Sequence, residues 1–200
     1  MATMSSEGPG EPDVRRRLIE LAADVLGDEG PAALSARRLA RDAGTSTMAV
    51  YTHFGGMPGL VQAVVAEGFR RLFDRVAEVE LTDDPIADLA AAAAAYRANA
   101  LANPHVYSVM FGSASLGEYR LHDEELEVGI AAFQQLVGLI ERAMAAGALR
   151  RDDPAPVAAQ FWTALHGYVV LEIADFYSMF DDPEAQVLQP LLGRLLAALR

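Results

Sequence analysis

Residues 39–54 read LARDAGTSTMAVYTHF, and this stretch decides the fold because it spells two short helices joined by a glycine turn. Leu39, Ala40 and Ala43 give the first helix a narrow apolar face, and Gly44 supplies the left-handed residue that closes it. Ser46 is a good N-cap for the second helix. Within that helix Val50 and Phe54, four apart, turn inward, while Thr47, Met48, Tyr51, Thr52 and His53 turn outward. A face that mixes hydroxyl, imidazole, aromatic and thioether groups is unusual for a merely solvated helix. It suits base edges, thymine methyls and phosphates, so the stretch reads as a helix-turn-helix that binds DNA.

Upstream, Asp13 is the expected N-cap of an amphipathic helix in which Leu18, Leu21, Ala22, Val25 and Leu26 recur at helical spacing up to a break over residues 27–31. Arg15, Arg16 and Arg17 then fall in its opening turn, the wrong sign for the helix dipole unless a phosphate lies nearby. Ser35 caps the next short helix, with Arg37, Arg38 and Arg41 on its polar side, and Arg37 sits where exposed amides also receive phosphate oxygens. Residues 1–12 carry no basic region followed by an apolar run and read as a disordered tail rather than a signal peptide.

Downstream, Gly55 and Gly56 turn the chain and Pro58 fits the first turn of a long helix to about Val79, with Val61, Val64, Val65, Leu72, Phe73 and Val76 as its buried stripe. An alanine-rich helix with Leu89, Tyr96 and Leu101 follows over residues 86–102 and ends at Asn103 and Pro104. Residues 105–112 form a brief apolar turn or short helix, and a loop is expected to about Leu121. Asp123 opens a helix striped by Leu126, Ile130, Phe133, Val137, Ile140 and Met144, ending at Gly147. Asp153 and Pro154 announce another, expected to reach Met179. One of its faces is Phe161, Trp162, Leu165, Val169, Ile173 and Phe176, and a second, smaller one is Thr163, Gly167, Val170 and Ala174, so it needs two partners. A leucine-rich segment over residues 187–199 closes the chain, with Pro190 kinking it or marking its start. No strand alternation, hairpin signal or internal repeat is present, and the expected class is all-α.

With 52% hydrophobic residues among 200, a substantial core is available. The chain has no cysteine, which removes disulfides, thiolate metal sites and a cysteine nucleophile. The longest apolar run, residues 161–173, is broken by His166 and Glu172 and falls short of the roughly 20 residues a membrane span requires, so a soluble, cytoplasmic protein is expected. A net charge of -12 argues at first against a nucleic-acid partner. Its distribution argues otherwise: residues 1–75 hold nine arginines against ten acids, and residues 76–200 seven against eighteen. The acidic remainder would repel DNA and confine contact to one end of the molecule.

The amphipathic first helix, the turn Ala43-Gly44-Thr45-Ser46, and Tyr51-Thr52-His53-Phe54 followed by glycines and a long helix near Met57 resemble the TetR family of bacterial transcriptional regulators over residues 16–65. Trp162, His166 and Gly167 also look like a subgroup whose ligand domain carries a Trp and a His-Gly pair. The resemblance implies a helix-turn-helix domain over residues 13–56 and a ligand-binding and dimerisation domain over residues 57–200. It implies a homodimer, joined through the last two helices, whose recognition helices enter major grooves about 34 to 36 Å apart on a pseudo-palindromic operator. A partly apolar small molecule would release a repressor from that operator, with the long helix acting as lever.

By the same resemblance the DNA contacts are Ser35, Arg37, Thr45, Ser46, Thr47, Met48, Tyr51, Thr52 and His53, with Tyr51 and His53 assigned chiefly to phosphates and Thr47 and Met48 to bases. Met57 stands where many members carry a lysine, removing one expected phosphate contact. The candidate ligand residues, chosen as large or polar groups on apolar helices, are Tyr96, Arg97, Met110, Phe111, Phe133, Trp162, His166 and Phe176. Of these Arg97 and His166 are the more informative, since a buried ionisable group needs a partner; a backbone carbonyl or Glu172 would serve His166. No cofactor or metal is expected.

Two other classes stay open. His122-Asp123-Glu124-Glu125 could support acid-base or metal chemistry, but no second histidine lies at i+4 and no phosphate loop or nucleophile elbow accompanies it. The chain does not read as an enzyme. An interaction module whose helix-turn-helix has lost DNA binding is the alternative, to which Met57 and the net charge leave room.

Overall fold

The computed structural model describes residues 11–111 and 123–200. Most of the expected tail, the loop before Leu121 and His122 lie outside the described residues, as do the side chains of Asp123, Glu124, Glu125 and Leu126. Every regular element among the described residues is helical, and the chain divides into two compact units, Met1–Gly68 with His105–Glu125, and Phe69–Pro104 with Leu126–Arg200.

The first unit holds α1 (Glu11–Glu29), a short 3-10 turn (Pro31–Ala33), α2 (Ala36–Asp42), α3 (Thr47–Phe54), the opening of α4 (Met57–Ala77) and nearly all of α6 (Pro104–Phe111). Leu18, Leu26, Leu39, Val50, Leu60, Val64 and Val65 are among its fully buried side chains, each worth about 1.5–3 kcal/mol of transfer free energy. Helix α1 begins at Glu11, not at Asp13, and runs through Gly27 to Glu29, with the left-handed Gly30 (φ 79°) closing it. Asp13 therefore lies within the first turn, and the arginines come after it. That corrects the expected dipole conflict: the Asp13 carboxylate stands near the positive end of the helix.

The α2–α3 turn forms as the residues dictate. Gly44 adopts φ 67°, and the Thr45 amide donates to the Ala40 carbonyl at 2.8 Å, the hydrogen bond by which a left-handed residue satisfies the last helical carbonyls. Ser35 caps α2 by accepting from the Arg38 amide at 3.4 Å. Ser46 occupies the extended N-cap position of α3, but its hydroxyl makes no capping bond. At Gly68, within α4, a β-carbon would stand 2.6 Å from Met110 Sδ and 3.0 Å from Val106 Cγ1; glycine is what lets α6 lie against α4 there.

The second unit comprises the end of α4, α5 (Pro85–Ala102), α7 (Asp123–Ala145), α8 (Pro154–Ile173), a π-helical turn (Glu184–Leu188) and α9 (Gln189–Ala198). Leu89, Val137, Ile140, Met144, Val157, Phe161 and Leu199 form its core. Asp84 and Asp153 cap α5 and α8, each followed by proline in the first turn. The buried Asp88 carboxylate accepts from the Thr82 amide at 2.9 Å and the Thr82 hydroxyl at 2.8 Å, and from Arg142, which also donates to the Thr82 carbonyl. Burial would raise the Asp88 pKa, yet the hydrogen bonds from Arg142 and Thr82 hold it below the usual carboxylate range.

Three expectations about packing are corrected. Leu101 and Ile130 (49%) are exposed: Ile130 fits its helical stripe by spacing, whereas Leu101, five residues after Tyr96, lies off the stripe and Ala100 takes the buried position. Helix α8 stops at Ile173 rather than near Met179, because Asp175 turns left-handed (φ 59°) and the Phe176 amide donates to the Leu171 carbonyl at 3.0 Å. This is the termination usually carried by glycine, here carried by aspartate, one of the few other residues that tolerate it. Phe176 is consequently 62% exposed instead of extending the buried face.

Candidate nucleic-acid interface

Val50, fully buried, anchors α3, and the opposite face emerges around it: Thr47, Met48 (67% exposed), Tyr51 (58%) and Thr52 are open to solvent. His53 is half-buried, its ring edge-on to that of Phe54 at 6.1 Å. Thr45 and Met57 are half-buried and Ser46 is exposed. Helix α3 ends at Gly55, left-handed at φ 69°, and Gly56 (φ 130°) brings the backbone under the Tyr51 ring, whose carbons lie 3.7 and 3.8 Å from where a β-carbon would be. The Tyr51 ring therefore packs close to Gly56 while the residue as a whole stays exposed.

The basic residues divide by what they touch. Arg38 is not a free surface cation: it forks Glu29 through two guanidinium nitrogens, one at 2.8 Å, and lies 3.5 Å from Asp42. It ties the end of α1 to α2. Arg38's hydrogen bond holds the Glu29 carboxyl low, and that of Arg41, at 2.9 Å, does the same for Asp42. Arg16 pairs with Asp13 at 3.1 Å and approaches Glu20 at 3.8 Å. Arg37, beside the exposed Ser35 at the start of α2, is exposed and makes no ion pair among the described residues. Arg15, which the sequence reading did not single out from its neighbours, lies over the Phe54 ring, 5.4 Å from its centroid.

In the second unit, Tyr96, Trp162 and His166 come together. The Trp162 indole N–H donates to the Tyr96 hydroxyl at 3.1 Å, and that hydroxyl lies 3.2 Å from His166 Nδ1. The phenol oxygen accepts from the indole, and the direction of its hydrogen bond with Nδ1 follows the His166 tautomer. Burial pushes the His166 pKa down, favouring the neutral ring. Phe133 meets the Trp162 ring edge-on at 6.2 Å.

The partner expected for His166 belongs instead to Arg97. Its guanidinium forks Glu172 at 2.6 and 2.7 Å and reaches Glu184 at 2.6 Å, joining α5, α8 and the turn before α9. The Tyr168 hydroxyl donates to Glu172 at 3.3 Å, and burial pushes its own pKa up to about 12. Met110 and Phe111 belong to the first unit, where Met110 packs at Gly68 and Phe111 against the Tyr107 ring at 4.9 Å. Of the eight candidate ligand residues, Tyr96, Trp162, His166 and Phe133 form one cluster; Arg97 is held by carboxylates, and Phe176 stands in solvent.

A short capped helix, a left-handed glycine turn and a second helix with a polar, aromatic outer face, in a chain that also carries a separate helical unit, define a helix-turn-helix regulator of transcription. Residues 18–64 match the model for bacterial regulatory proteins of the tetR family, and residues 89–195 match that for the tetracyclin repressor-like C-terminal domain. The chain belongs to the TetR family, whose members are transcriptional regulators and not enzymes. It is 28% identical over 156 residues to the HTH-type transcriptional regulator Rv1816 of Mycobacterium tuberculosis, a match spanning 74% of this chain and 66% of that one. A Rhodococcus sp. RHA1 protein of unknown function has a similar structure, with TM-score 0.82 and 26% identity over 99% of both chains. The fatty acid degradation regulator FadR of Bacillus halodurans shares the fold, with TM-score 0.72 and 18% identity over 96% of this chain and 97% of that one. No helix among the described residues is long and apolar enough to cross a membrane.

Proposed function

We propose that this TetR-family regulator is a homodimeric repressor that a small molecule releases from a pseudo-palindromic operator. The observation that carries the reading is the exposed α3 face, Thr47, Met48, Tyr51 and Thr52, standing on a buried Val50 between two left-handed glycine turns. Thr47 and Met48 read base edges and thymine methyls, while Tyr51, His53, Ser35 and Arg37 contact phosphates, with Thr45, Ser46 and Thr52 between them. Residues 13–56 form the reading domain, and residues 57–200 bind the effector and dimerise. The pairing surface is the exposed apolar side of α8 and α9, where Val170, Leu171 and Leu191 await a partner.

The effector site centres on Tyr96, Trp162 and His166, with Phe133 as apolar wall. A partly apolar ligand competing for the Tyr96 hydroxyl would shift α5 against α8. Because α4 runs from residue 57 to residue 77 through both units, it is the lever that changes half-site separation. A displacement of a few ångströms misplaces contacts worth about 1–3 kcal/mol each, enough for release, and DNA and effector then weaken each other's binding by the same factor.

Affinity selection of genomic fragments on the purified full chain tests this reading. It expects enrichment of one palindromic site, bound with a steep salt dependence, and loss of that binding when the effector is added. Recovery of no DNA, with a protein partner instead, would assign the chain to the interaction-module alternative.

A further inference from the structure

We propose that Arg15 is an additional phosphate-binding residue of the interface, held for that purpose by the ring of Phe54. The inference rests on the DNA-binding reading of α3. It begins at the end of α3, where a β-carbon on Gly59 would stand 1.9 Å from the Phe54 carbonyl oxygen. The backbone of Phe54 is thereby seated against the first turn of α4, and its ring is half-buried. One side of that ring meets the edge of His53; over its face lies the Arg15 guanidinium, 5.4 Å from the centroid.

Three consecutive arginines on one helix look equivalent, but the structure separates them. Arg16 is neutralised by Asp13 and Glu20. Arg17 is exposed and has no ring or ion pair to fix it among the described residues. Arg15 alone of the three lies against a ring of the recognition helix, that of Phe54, the residue next to the histidine assigned above to phosphate. A guanidinium lying on an aromatic face keeps its in-plane N–H edges available, and these edges match phosphate oxygens. Much of the freedom a long side chain loses on binding is then already lost in the free protein. Its position on α1 also widens the electrostatic contact from α2 and α3 to a third helix, in the part of the chain where the charges balance.

The test uses the full-length protein and the selected operator, with affinity measured from 50 to 200 mM salt. Arg15→Ala should lower the salt-dependence slope by about 0.9 for each bound copy, so that its deficit against wild type shrinks about three- to fourfold per copy over that range. The loss should be the same on operators with altered bases, as for any phosphate contact. Arg16→Ala should leave the slope unchanged. Phe54→Leu, which keeps the charge but removes the ring face, should weaken binding, and adding it to Arg15→Ala should cost less than it does alone. An unchanged slope for Arg15→Ala, an equal drop for Arg16→Ala, or a loss that depends on base sequence would each overturn the proposal while leaving the regulator reading intact. Failure of the wild-type chain to bind any DNA would remove both.

Discussion

Gly59 makes the closest approach of any described glycine, to Phe54: a β-carbon on Gly59 would lie 1.9 Å from the Phe54 carbonyl oxygen and 2.9 Å from its carbonyl carbon. The obstacle is backbone, which cannot rotate aside as a side chain would, so the α3–α4 junction must shift. Gly59→Ala should destabilise the chain by about 1–3 kcal/mol, despite alanine's better helix propensity. It should also weaken operator binding beyond what the loss of folded protein explains, because the junction sets the direction of α3. Urea unfolding followed by circular dichroism, alongside DNA affinity on the folded fraction, checks both. A stabilised Gly59→Ala chain would mean that the junction relaxes freely.

Tyr51 is more than half exposed, and its ring rests on the backbone at Gly56. Its removal opens no cavity in the core. Tyr51→Ala should therefore leave the unfolding transition within about 0.5 kcal/mol of wild type, the usual range for surface substitutions, while lowering operator affinity by about tenfold or more, as loss of a charge-assisted hydrogen bond does. Thermal melts and binding isotherms on the same preparation distinguish the two effects. A collapse in melting temperature with unchanged affinity of the folded fraction would show that the ring is a packing residue.

How much of this was legible beforehand depends on whether a signal is local. The helix-turn-helix was, since Gly44, Gly55, Ser35 and the inward pair Val50 and Phe54 act within a few residues of themselves. The end of α8 was not, because the turn that stops it is carried by Asp175 instead of glycine. Nor was the fate of the ionisable groups: Arg97 and Glu172 are 75 positions apart, and no periodicity says that Arg97 takes Glu172 while Tyr96 takes His166. Ile130 shows the converse error. It has the spacing of a buried stripe, yet a stripe is buried only where a neighbouring element covers it. Arg15 needed both kinds of information, a local helix phase and the position of a ring 39 residues later.

The burial of His166 makes stability pH-dependent in a definite direction. Burial lowers the folded pKa of His166 below the 6.5 of the unfolded chain, so at acid pH the unfolded chain binds more protons. The stability tied to neutral His166 is fully present above about 6.5 and is lost as pH falls through the lowered folded value. Between pH 7.5 and 5 the wild-type melting temperature should fall more steeply than that of His166→Asn, which cannot titrate. Trp162, the single tryptophan of the chain, donates to the Tyr96 hydroxyl beside His166 and gives a built-in probe: its fluorescence should change over the same pH interval and on effector binding. Parallel pH profiles for the two proteins would mean that His166 titrates alike in folded and unfolded chains.

Val170 and Leu171, near the end of α8, are exposed together with Phe176, Met179 and Phe180 just beyond it and Leu191 on α9. That concentration of apolar surface in one stretch of chain is costly in a monomer. A two-fold pairing would bury it on both copies with one set of residues. A carboxylate in such an interface loses its hydration without gaining a partner, and in a symmetric dimer each substitution acts twice, with like charges brought together. Val170→Glu should leave helicity and the core around Phe161 and Val169 unchanged, since the position is open in the single chain, and shift the protein to monomer by sedimentation at micromolar concentration. Operator affinity should then fall steeply, because two half-sites are no longer engaged as a unit. If Val170→Glu remained dimeric, the pairing surface would have to lie elsewhere on the chain, and the apolar stretch over residues 170–180 would need a different occupant.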